Sequence, residues 1–181
     1  MPNKDKNPYT YKFSGEMNGF NTITVLQGEL VVTSAERKRR YLASYGAGPC
    51  VLVAGYCPST KKGFLGHLDA ACDTKELNEA IYQLGSGESI EIHLAGGDMM
   101  TKDQVERIQK FLKDKKNLVI KSSNVITGNT GQLALDTATG EVTDYFDPVA
   151  LNTHDINLRI QVMAAARSSA SLRMTSECGG G

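Results

Sequence analysis

The stretch SYGAGPCVLVAGYCPSTKKGFLGHLD, Ser44–Asp69, decides the fold. It reads as a Gly-rich turn, an apolar strand, a polar turn and a second strand. CVLVAGYC (Cys50–Cys57) is nearly all apolar, as expected of a strand buried on both faces. PSTKKG supplies a turn, and FLGHLDA (Phe64–Ala70) runs back from it. An antiparallel hairpin is the simplest arrangement of the two, and it brings Cys50 and His67 to neighbouring positions. Gly46, Ala47, Gly48 and Pro49 carry little bulk, so another backbone or a ligand can approach the cysteine closely.

Working outward from this hairpin, residues 1–21 form a polar N-terminal extension. TITVLQ and ELVVT are β-rich runs split at Gly28, and SAERKRR is a charged loop leading through RYLASY into the Gly-rich turn. Beyond the hairpin, Asp73 is placed to cap a helix whose Leu77, Ala80, Ile81 and Leu84 share one face. SIEIHLAGG alternates as a half-buried strand, with His93 on its polar side. Thr101 and Gln104 then fit a capping box for a second helix, with Val105, Ile108, Phe111 and Leu112 inward. LVIKSS is a strand, and QLALD with EVTDYF makes a second hairpin across TATG. Hairpins mixed with crossover helices predict an α+β domain with mixed sheets over residues 22–147. Residues 148–181 are left for a C-terminal helix, Asp155–Arg167, and a fraying tail.

Lysine plus arginine numbers 20 and aspartate plus glutamate 20, a net charge of +0 that argues against a nucleic-acid-binding protein. The dense basic run ERKRR (Glu36–Arg40) reads first as a solvated loop, with a contact for an acidic partner as the alternative. No apolar run approaches the roughly 20 residues that span a bilayer. MPNKDKNPYTYKF lacks the apolar core of a secretory signal, so synthesis in the cytoplasm is expected, with export by a route that reads no such signal left open. Cys50, Cys57, His67 and Cys72 fit no metal-ligand spacing.

Two readings of the central pair stand side by side. In one, Cys50 is a small inert core residue and His67 a satisfied core histidine. In the other, His67 takes the Cys50 proton, and the thiolate attacks an acyl carbon. Amides around Gly46, Gly48 and Gly97 would hold the oxyanion, and Ser44 would orient the imidazole. Cys57 has odd parity relative to Cys50 and should face the opposite side of the strand.

SYGAGPC (Ser44–Cys50) and KGFLGH (Lys62–His67) resemble the turn and the histidine strand of the bacterial chemoreceptor glutamine deamidases, the CheD family. VLQGELVV, LAGGDMM, VERIQKFL, LVIKSSNVITGNTG and TGEV follow the same order over about residues 22–146. Pro49 departs from the family's serine and has no amide to donate, and LDAA departs from its Met-Leu-Pro. The resemblance implies a layered sandwich of two mixed sheets flanked by helices. It also implies a hydrolase with Cys50 as nucleophile, His67 as base and Ser44 in the threonine position. The reaction would convert a protein glutamine to glutamate with release of ammonia, without metal or organic cofactor. The partner would be a protein substrate carrying that glutamine. Deamidating toxins of the cytotoxic necrotizing factor and Burkholderia lethal factor kinds are similar, so a diverged housekeeping deamidase and a secreted, host-directed effector or toxin are both left open. The alternatives are a catalytically dead CheD-like binding module and another thiol acyl-transfer enzyme, a peptidase or transglutaminase.

Overall fold

The computed structural model describes residues 15–72, 74–127, 131–148, 151 and 173–176. Ten strands and two helices follow in the order β1 (Thr22–Thr24), β2 (Glu29–Ser34), β3 (Tyr41–Ser44), β4 (Val51–Cys57), β5 (Lys62–Leu68), α1 (Lys75–Leu84), β6 (Ile90–Gly96), α2 (Lys102–Lys113), β7 (Leu118–Val125), β8 (Leu133–Asp136), β9 (Val142–Thr143) and β10 (Arg173–Ser176).

The Ser44–Asp69 stretch becomes the antiparallel β4–β5 hairpin, with Leu52 opposite His67 and Gly55 opposite Phe64. β4 then pairs with β6, so it lies in the middle of a six-stranded sheet ordered β10-β2-β5-β4-β6-β7. That position explains its unbroken burial and its apolar sequence. A four-stranded sheet ordered β1-β3-β8-β9 forms the second layer. Both sheets are mixed: β1–β3, β6–β7 and β10–β2 are parallel and the other ladders antiparallel.

Alternation along β4 sends its residues into two cores. Val51, Val53 and Cys57 pack with Leu77, Ile81 and Leu84 of α1 and Val105, Ile108 and Leu112 of α2. Cys50, Leu52, Ala54 and Tyr56 face the four-stranded sheet and meet Ile23, Leu42, Leu133, Leu135 and Val142. The molecule is thus α+β, with helices, six-stranded sheet and four-stranded sheet as successive layers. Cys57 and Cys50 face opposite sides, as parity requires.

Several local expectations change. RYLASY is not a mere lead-in, since Tyr41–Ser44 forms a central strand of the smaller sheet. The capping box belongs to Asp98 and Thr101, which open a 3-10 turn at Met99–Thr101 ahead of α2. Gln104 turns inward instead and donates to the Asp69 carbonyl oxygen. α1 is preceded by Thr74, which makes no side-chain capping bond. His93 is buried, not solvated. Part of the tail expected to fray, Arg173–Ser176, pairs in parallel with Glu29–Val32. Asp73 and the helix expected over Asp155–Arg167 lie outside the described residues. Among the described residues no helix is long and apolar enough to cross a membrane.

Candidate functional site

The Ser44–His67 contact joins the two sheets. Ser44 ends β3 in the smaller sheet, and His67 lies in β5 of the larger one. Both side chains are buried, with Ser44 Oγ 2.9 Å from His67 Nδ1. The same hydroxyl donates to the Val25 carbonyl oxygen at 2.6 Å. A serine has one proton to give, so with that proton on Val25 its oxygen accepts from Nδ1–H. The imidazole is then the Nδ1–H tautomer, and its lone pair is on Nε2. Nε2 is buried, with no hydrogen-bond partner among the described residues.

Cys50 lies immediately before β4, on the face of Leu52 and therefore of His67. One step beyond the Val51–Leu68 pair, Asp69 stands across from Cys50. Its carboxylate accepts from Ala71 N at 3.0 Å and from the Cys72 thiol at 3.3 Å. Cys50 makes no hydrogen bond to His67 or Ser44 among the described residues.

Electrostatics hold this group neutral. Burial raises the Cys50 thiol, and the nearby Asp69 and Asp98 carboxylates raise it further. Burial lowers His67 to about 4 against the opposing pull of Asp69. Cys72 is pushed up to about 12 by burial and then by Asp69. A thiolate–imidazolium pair needs the reverse, a lowered thiol beside a raised imidazole.

The glycines divide. Gly97 donates its amide to the Cys50 carbonyl oxygen at 2.7 Å, so this amide is committed to the fold. Ala47 is likewise bonded to the Gly131 carbonyl at 3.2 Å. Gly46 and Gly48 face open space, and Gly46 adopts φ +69°. Thr101 Oγ1 donates to the Pro49 carbonyl oxygen at 2.8 Å, tying the turn to the start of α2. The structure therefore brings Ser44 and His67 into contact and leaves the Cys50 thiol, among the described residues, without a hydrogen bond to either. Sequence reasoning overlooked Val25 and Asp69. The hairpin register was the signal for Asp69, because extending it sets residue 69 against residue 50.

No protein-family model matches the chain. Curated relatives are named "Probable septum site-determining protein MinC". Those of Bacillus thuringiensis (strain Al Hakam), Bacillus cereus (strain AH187) and Bacillus anthracis (strain CDC 684 / NRRL 3495) are each 42% identical over 79 residues. The match covers 38% of this chain and 35% of each relative, so the chain spans about a third of the length of the proteins it resembles. These names overturn the expected CheD-like resemblance and the glutamine deamidase drawn from it, because the relatives are named for placing a septum and not for hydrolysing an amide. The hydrolase, its glutamine-bearing substrate and the host-directed effector or toxin fall together. The dead CheD-like module, the peptidase and the transglutaminase find no support either. Of the pair, Cys50 is held as the protonated thiol, while the neutral His67 imidazole keeps the form that can accept a proton.

Proposed function

We propose that this chain takes part in determining where a bacterial division septum forms, by recognising other proteins rather than by covalent chemistry. The observation that carries this reading is the 42% identity over 79 residues to proteins named for septum-site determination. The raised Cys50 thiol, which disfavours the thiolate, supports recognition over thiol chemistry. On this reading Ser44 and His67 are a tie between two sheets, Cys50 is a packed thiol at the end of that tie, and Gly46 and Gly48 shape the turn. The chain then works in the bacterial cytoplasm.

The test is to induce the full chain in Bacillus cereus and map septum positions along the cell by membrane staining. Displaced septa and a broadened cell-length distribution are expected as the chain accumulates. Septa that stay at midcell while the folded chain accumulates to high level would refute the reading.

A further inference from the structure

The basic run ERKRR plays no part in the septum-site reading, and the structure gives it neighbours that the sequence does not show. Arg37 and Lys38 are exposed on the loop between β2 and β3, and Arg39 is half-buried beside them. Register sets this loop against the β4–β5 turn: Ser34 stands opposite Lys62, and Ala35 N donates to the Lys61 carbonyl at 2.9 Å. Lys61 and Lys62 are both exposed there. Lys61 Nζ reaches the Ala138 carbonyl at 3.3 Å, so its ammonium leans over the adjoining β8–β9 turn. Four exposed cations, Arg37, Lys38, Lys61 and Lys62, thus share one end of the hairpin, with Glu36 as the carboxylate inside the run. Neighbouring turns add Glu88, held by Ser59 Oγ at 2.8 Å, and Glu141. Arg40 is excluded, being bound to the buried Asp136 carboxylate at 3.2 Å.

In a chain of zero net charge this is segregation, not excess. β5 alone carries Lys62 at one end and Asp69 just past the other. Like charges on adjacent turns repel, a cost that an anionic partner would relieve. The exposed large apolar side chains, Phe20, Tyr82, Met99, Met100, Val119 and Tyr145, are all outside these two turns. A membrane-inserting surface pairs its cations with such side chains, and a nucleic-acid surface belongs to a chain of net positive charge. Neither description fits.

We propose that the paired turns carrying Arg37, Lys38, Lys61 and Lys62 dock an acidic segment of another protein, a run of aspartate or glutamate side chains. The contacts are exposed and therefore salt-sensitive. This inference goes beyond the septum-site reading and stands or falls without it, because its test uses purified components.

The full chain is titrated into fluorescently labelled poly-L-glutamate and followed by anisotropy at low and at physiological ionic strength. Binding at low ionic strength is expected, weakened on the order of tenfold at the higher one. The triple variant Arg37→Ala, Lys38→Ala, Lys62→Ala should lose most of the binding. A triple variant of equal charge loss on and just beyond α2, Lys110→Ala, Lys113→Ala, Lys116→Ala, should keep it. The proposal is overturned if polyglutamate is not bound, or if the two triple variants lose affinity equally. It is overturned too if phosphatidylglycerol vesicles or duplex DNA bind more tightly than polyglutamate through the same three residues. Circular dichroism of both variants separates a lost surface from a lost fold.

Discussion

At the scale of single residues, the Ser44 hydroxyl makes two bonds with one proton. It donates to Val25 and accepts from His67, and thereby links β3, the segment after β1 and β5. Ser44→Ala leaves the Val25 carbonyl and the His67 Nδ1–H without this partner inside a closed core. A buried polar group left unpaired costs about 1–3 kcal/mol, so the variant should lose stability on that order in urea denaturation. Ser44→Thr keeps the hydroxyl and should recover most of the loss. If Ser44→Ala unfolds at the wild-type midpoint, the bond contributes nothing. The sequence pointed to Ser44 as the group that orients His67, and the two residues are in contact. It could not show what burial does to ionisation. Cys50 and His67 look alike on paper whether they lie in a wet cleft or between two sheets, and it is the closed inter-sheet position that pushes the thiol up and the imidazole down.

At the scale of elements, the β4–β5 hairpin was legible because its evidence is local: an apolar run, a turn and a second run of matching length. Its tightest point is Gly55, opposite Phe64. A Cβ there would stand 2.2 Å from the Phe64 ring. The ring lies in a packed core and cannot give way without disturbing α1. Gly55→Ala should therefore destabilise by about 1–3 kcal/mol through overpacking. Gly48→Ala meets nothing within 4 Å and should shift the urea midpoint little. Equal effects at the two glycines would contradict this account of the hairpin. What was not legible shares one cause, partners distant in sequence. β3 is four residues long and becomes a strand only between β1 and β8. β10 becomes one only beside β2, more than 100 residues earlier by numbering. Thr101 and Gln104 fitted a capping box by spacing, but Gln104 turns inward to the Asp69 carbonyl just past β5, and Asp98 caps with Thr101 as its partner.

At the scale of the whole molecule, the two layers of sheet bury two histidines, and this gives the fold a pH dependence. His67 lies between the sheets. His93 lies in β6, with Nδ1 2.5 Å from Ser122 Oγ and Nε2 without a partner among the described residues. Burial lowers both from the ordinary 6.5 to about 4. Asp69 opposes the shift at His67, and Lys121 adds to it at His93. As pH falls below 6.5 the unfolded chain takes up protons at these positions, while the native chain does not until about 4. Native stability therefore declines through that window and is fully present above it. Between pH 7 and pH 5.5 the loss should be about 1 kcal/mol for each histidine, before any carboxylate contributes strongly. Urea midpoints measured at the two pH values read this directly. His67→Asn and His93→Asn should each remove part of the slope, whatever they do to the absolute midpoint, and the double variant should be nearly flat. A wild-type midpoint that does not move between pH 7 and pH 5.5 would mean that water reaches these rings. The burial that raises the Cys50 thiol beside His67 would then be in doubt as well.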